Sequence, residues 1–185
     1  RFDGEALLLD LRAFHRAGDG GRGVVAFPSL GIDPYGALAP HPDHIRERIQ
    51  TLDRCATDNA DILIAPMLSW LEYLQPPSHF LGSTLTIEVG NDLPLEELVG
   101  ALGSAGYQRH SLVESLGEMA VRGGIVDVFP ATREYPIRLE YFGDEIESIR
   151  EFNPRDQRSL RSIEFVELPP AREHFELAAP GTGNI

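Results

Sequence analysis

The sequence predicts an α/β chain in two parts. A parallel-sheet part covers about residues 1–90, a β-rich α+β part about 91–168, and 169–185 form a return segment and tail. Three observations carry this reading. Short, near-continuous apolar strands alternate with helical patterns in the first half, as in a parallel sheet covered on both faces. After Gly106 the texture changes to four or five closely spaced strands with short turns, which favours antiparallel pairing. Within that run, Phe142-Gly143-Asp144 is a tight-hairpin signal.

The elements follow in order. EALLLDLRAFHRA (5–17) has the spacing of a helix, with Leu7, Leu8, Leu11 and Phe14 on one side and glycines 18, 20 and 21 to end it. GVVAFP (23–28) reads as a buried strand stopped by Pro28, and 29–44 as a long Pro/Gly loop. PDHIRERIQTLDRCA (42–56) is a helix capped by Asp43, with Ile45, Ile49 and Leu52 as its apolar stripe. DILIAP (61–66) is a second buried strand, MLSWLEYL (67–74) a short helix and TLTIEV (84–89) a further strand of the first part. LPLEELVGALGSAG (93–106) is a helix presenting Leu95, Leu98, Val99 and Leu102 inward. The β-rich part then runs through YQRHSLVE, GEMAVRGGIVDVFP, PIRLEYF, DEIESIREF and RSLRSIEFVEL.

Composition narrows the chemistry. The 185 residues are 42% hydrophobic and 24% charged, in the range of a globular chain. No apolar run reaches the ~18 residues of a membrane helix, no signal peptide is visible, and the expected compartment is the cytoplasm. The net charge is −13, which repels a phosphate backbone on average. All 16 basic residues are arginine. Without lysine the chain builds neither a Walker A loop nor a Schiff base. A single cysteine, Cys55, excludes an internal disulfide and reads as a small buried hydrophobe in its helix. The start at Arg1 and the aperiodic end suggest a fragment of a longer protein.

Catalytic constellations are not apparent. His41 and His44 lie near a helix start without a third metal ligand. The serines sit in no nucleophile elbow. Asp144, Glu145 and Glu147 read as a solvated strand edge. GDGGRG (18–23) reads as a helix terminator. The stretch Gly117–Pro130 is more pointed, because it places Arg122 and Gly123-Gly124 inside a β-ribbon. If 107–113 and 118–124 form a hairpin around Ser115-Leu116, Arg109 and Arg122 face one another on one side. Opposed like charges are unfavourable by roughly 0.2–1 kcal/mol. Two readings offset this: local pairing with Glu114 or Glu118 or splaying into water, as against an arginine pair presented to an acidic partner. Gly123-Gly124 would permit a bulge, and Tyr107 and Phe129 are the nearest aromatics. Arg138 and Arg150, with Glu140 and Glu147, read as cross-strand charge pairs. Asp127 either points to solvent or is buried and paired.

GYQRHSLVESLGEMAVRGGIVDVFP and YPIRLEYFGDEIESIREFNPRDQRSL resemble the UvrB-homologous N-terminal module of bacterial transcription-repair coupling factors. VVAFPSLGIDPYGALAPHPDHIRERIQTL and ILIAPMLSWLEYLQPP extend the resemblance over about residues 23–172. It implies a degenerate helicase-like parallel-sheet domain followed by a β-rich α+β interaction domain of the UvrB domain 2 kind. It implies a non-catalytic role: imitation of UvrB and recruitment of UvrA, with Arg109 and Arg122, and secondarily Phe129, as the binding residues. UvrB itself has RVR where this chain has Ala120-Val121-Arg122. The resemblance further implies no cofactor here, ATP, DNA and RNA polymerase being bound by other parts of the longer family members, and a monomer is expected. The competing reading is a fragment of UvrB or another helicase-like ATPase that binds nucleotide and DNA. A further alternative is DNA binding through Arg155, Arg158 and Arg161.

Overall fold

A computed structural model describes residues 4–16, 23–29, 42–72 and 74–173. The expectations for His41, the loop centre and the tail after 173 lie outside these residues, as does most of the 18–23 glycine stretch. The chain divides into two compact units, Arg1–Leu81 and Gly82–Ile185.

In the first unit, helix α1 (Gly4–Arg16) precedes strand β1 (Val24–Ala26), and helix α2 (Pro42–Ala56) precedes strand β2 (Ile62–Ile64). β1 and β2 pair in parallel, Val24 opposite Ile62. This is the expected βαβ alternation, but the described sheet has two strands, not the larger helicase-like sheet. Pro42 opens α2, so Asp43 lies inside its first turn rather than at the cap. Ile49 is fully buried, as its place in the stripe requires. Two expectations of burial fail. Phe14 is 79% exposed, and Cys55 lies on an exposed part of α2. Residues 67–74 do not form an α-helix; a single 3-10 turn spans Met67–Leu71, and Pro76 and Pro77 then start a short helix α3 (Pro77–Gly82). Met67, Leu68, Trp70 and Leu71 on that turn are 65–81% exposed.

Arg48 organises this unit. Its side chain is fully buried, its guanidinium lies 3.8 Å from the Phe27 ring centroid, and Nη1 donates to the Pro28 carbonyl at 2.6 Å. The same nitrogen lies 2.6 Å from a Glu72 carboxylate oxygen, and the other Glu72 oxygen accepts from Ser29. One buried charge therefore ties the end of β1 to the chain beyond the 3-10 turn.

In the second unit, β3 (Leu85–Glu88) pairs antiparallel with β10 (Phe165–Leu168), not with β1 and β2. The boundary thus falls before this strand rather than near residue 90. Helix α4 (Leu95–Ser104) buries Leu98 and Leu102, with Leu95 and Val99 packed against the same core. A six-stranded sheet follows in sequence order: β4 (Gln108–Arg109), β5 (Glu118–Arg122), β6 (Ile125–Val128), β7 (Ile137–Phe142), β8 (Glu145–Phe152) and β9 (Ser159–Ile163). All its pairings are antiparallel except β4 with β5.

Side-chain alternation splits the sheet into two faces. Met119, Val126, Val128, Ile137, Leu139 and Ile149 share a buried core with Leu98 and Leu102 of α4 and Ile87, Val166 and Leu168 of the β3–β10 pair. The opposite face is polar along most of its length. At one end it is covered by a smaller cluster of Val113, Ala120, Phe129 and Phe152.

Candidate polar docking face

The expected hairpin around Ser115-Leu116 does not form. Arg109 pairs in parallel with Met119, and residues 110–117 cross between the two strands. The physical cause is local. One oxygen of the Glu118 carboxylate accepts from the backbone N–H groups of Glu114 and Ser115, at 2.8 and 2.9 Å, which fixes a turn in the crossing segment. Val113 and Leu116 meanwhile pack into the smaller apolar cluster. The chain is held over the sheet instead of reversing along it.

The hairpin lies inside the Gly117–Pro130 stretch itself. Arg122 pairs with Ile125, so Gly123-Gly124 is a two-residue turn and not a bulge. Gly123 has φ 58°, the left-handed conformation that the first position of such a turn demands. Gly143 repeats the pattern at φ 66° between β7 and β8, where the sequence signal placed a hairpin.

This register separates the two arginines. Ladder partners share a face, so Arg109 belongs to the Met119 side of the sheet edge. Arg122, three residues beyond Met119, emerges on the opposite face. Their direct juxtaposition is therefore corrected. Arg109 is exposed and makes no side-chain hydrogen bond or ion pair with a described residue. Phe129 is only 7% exposed, packed with Val113, Ala120 and Phe152, so it shapes the face from beneath. Ala120 lies in the same cluster at 1% exposure. An arginine at that position would displace these neighbours.

What the face gathers is a cluster centred on Asp127. Its carboxylate is fully buried. It accepts from Arg122 Nη2 at 2.5 Å and from Arg138 Nε and Nη2 at 2.7 and 2.9 Å. Asp127 and Arg138 are ladder partners, which brings the carboxylate and the second guanidinium side by side. Arg138 also lies 4.4 Å from the Phe152 ring centroid, and its Nη2 donates to Gln157 Oε1 at 3.2 Å. The hydrogen bond to Asp127 raises the Arg138 pKa further. Arg122 keeps 42% of its side chain in solvent. Arg150, directly opposite Arg138, is balanced by Glu140 at 3.1 Å, which also accepts from Ser148 Oγ at 2.6 Å. The expected Arg150–Glu140 charge pair is therefore present, while Arg138 turns to Asp127 instead. Between the two alternatives for Asp127, the buried and paired one holds.

A second cluster stands on the row of Ile137, Glu151 and Arg161. Glu151 is nearly buried, accepts from Arg161 at 2.6 and 2.9 Å and from Arg133 at 3.2 Å, and borders an open cavity of about 390 Å³. Its pKa is lowered, mainly by the Arg161 hydrogen bonds. A depressed carboxylate stabilises the fold above its unfolded value, about 4.3, and loses that contribution as pH falls through the lower folded value. The melting temperature of Glu151→Gln is therefore expected to lie below that of the wild type at neutral pH. The gap should close as the pH falls below about 4 in a thermal-melt series.

Among the described residues, no group of three or more His, Cys, Asp and Glu is placed to hold a metal ion, and no helix is long and apolar enough to cross a membrane.

The second unit is thus a mostly antiparallel sheet with one face packed on a helix and the other carrying an arginine–carboxylate network. Residues 85–174 match the family model of the UvrB interaction domain, and this part of the chain belongs to that family. The chain is 33% identical over 152 residues to the transcription-repair-coupling factor of Bacillus subtilis, covering 82% of this chain and 13% of that protein. It is 38% identical over 140 residues to that of Escherichia coli, covering 76% and 12%, and 35% identical over 150 residues to that of Haemophilus influenzae, covering 81% and 13%. It thus groups with the UvrB-homology module of transcription-repair-coupling factors, and spans about an eighth of the length of these relatives.

Proposed function

We propose that this chain is a non-catalytic, cytoplasmic docking module that recruits UvrA in transcription-coupled nucleotide excision repair, taking the surface that UvrB would otherwise offer. The single observation that supports this reading most is the exposed guanidinium of Arg122, held by the fully buried carboxylate of Asp127. Such a side chain is ordered before a partner arrives, so less conformational freedom is lost on binding. Its remaining N–H donors suit a carboxylate on the partner. Arg109 contributes from the other side of the same sheet edge, reaching a partner that wraps over β4. Phe129 supports the face from below. ATP, DNA and RNA polymerase are assigned to other parts of the longer relatives.

Arg122→Glu is expected to weaken UvrA binding at least tenfold, since reversing a central charge puts like charges into contact. Arg109→Ala is expected to weaken it less. Calorimetric titration of UvrA into each variant measures both effects. Wild-type affinity in both, with folding intact, would remove these residues from the site.

A further inference from the structure

The connection from β8 to β9, Asn153–Arg158, is held far more tightly than a solvated loop requires. Gln157 has φ 62°, a left-handed conformation that a non-glycine residue keeps only when its surroundings hold it there. Its backbone N–H donates to the Asn153 carbonyl at 2.8 Å, and the Asn153 N–H donates to the Arg158 carbonyl at 2.9 Å. Its side-chain amide donates to the Pro154 carbonyl at 2.9 Å and the Val113 carbonyl at 3.5 Å, while its oxygen accepts from Arg138. Asn153 Oδ1 accepts from the Arg155 N–H and Asp156 Oδ1 from the Arg158 N–H, at 2.9 and 3.1 Å.

What this scaffold displays is two arginine side chains without partners among the described residues. Arg155 and Arg158 are both exposed, and neither guanidinium makes a hydrogen bond or ion pair with any described residue. In a chain with 29 acidic residues, Arg122, Arg133, Arg138, Arg150 and Arg161 all have a carboxylate partner. Arg161, grouped with Arg155 and Arg158 by sequence proximity, is thus diverted to Glu151. The loop is joined to the docking face by a continuous chain of contacts, Arg122 to Asp127, Asp127 to Arg138 and Arg138 to Gln157.

We propose that Asn153–Arg158 is a second anchoring element of this face, presenting Arg155 and Arg158 to an acidic stretch of the same protein partner. The inference rests on the docking reading above and extends it to two residues and a loop. The same protein partner is favoured over duplex DNA because the loop is continuous with the docking face through Arg138 and Gln157, so one occupant can meet both elements.

The test uses the full chain as wild type, as Arg122→Glu and as the double variant Arg155→Glu/Arg158→Glu. Each is titrated against UvrA at low and at raised salt, and against a fluorescein-labelled DNA duplex. The double variant is expected to keep the wild-type melting temperature and to bind UvrA about tenfold more weakly at low salt, with the difference narrowing as salt screens it. If it binds UvrA like wild type at low salt while Arg122→Glu does not bind, the loop inference falls and the docking reading stands. If wild type does not bind UvrA, both fall. If the double substitution abolishes duplex binding and leaves UvrA affinity unchanged, the loop serves nucleic acid and the inference is overturned.

Discussion

Asp127→Ala is expected to destabilise the second unit by about 3–5 kcal/mol, the range for removing one partner of a buried ion pair. The carboxylate is fully buried and is the shared acceptor of two guanidinium groups. Its loss leaves Arg138, whose side chain is 13% exposed, beside Arg150 without its main counter-charge. Since a domain of this size holds only about 5–15 kcal/mol in reserve, the variant should unfold at markedly lower urea than wild type. Asp127→Asn keeps the shape and part of the hydrogen bonding and should fall between the two. A urea series on the two variants and the wild type checks the order. Asn as damaging as Ala would show charge, and not hydrogen-bond geometry, to be decisive; Ala indistinguishable from wild type would refute the role assigned to this residue.

Arg48→Ala is expected to cost the first unit about 3 kcal/mol or more. The substitution removes the stacking on Phe27, the bond to the Pro28 carbonyl and the counter-charge of Glu72 together. Hydrogen exchange at the β1 and β2 amides measures the loss where it occurs, because protection there reports opening of this unit. Arg48→Lys should rescue little. An ammonium keeps the charge but lacks the planar fork and the flat surface for the ring.

The fold was legible where the code is local. The Gly143 hairpin follows from a dipeptide, and Leu98 and Leu102 of α4 follow from helical spacing; both are present. Gly123-Gly124 carried the same kind of signal, yet pairing 107–113 with 118–124 obscured it. That pairing failed because the Glu118 carboxylate and the burial of Val113 and Leu116 hold residues 110–117 across the sheet, and neither effect has a spacing to read. The sequence puts strand β3 in the first part because an apolar strand does not state its partner. Only the ladder with β10, some eighty residues later, assigns it to the second unit.

The site was legible in residue type but not in arrangement. Arg122 stood out as a charge in a ribbon, and Asp127 as an acid in an apolar strand. Their union depends on a two-residue turn that sets 122 and 127 on the same face, with Arg138 delivered by the next strand. Phe129 and Ala120 stand out in the sequence by position alone; their burial with Val113 and Phe152 is a matter of packing. Cys55 shows the opposite error, because a residue type that favours interiors sits on the outside of α2.

The 3-10 turn Met67–Leu71 has an optical consequence. It displays the chain's only tryptophan, Trp70, at 68% exposure, so the indole emission of the protein comes from one fluorophore bathed in water. That emission should lie toward the red and be quenched readily by iodide. Any molecule settling on this ledge would announce itself by a blue shift, with no label attached.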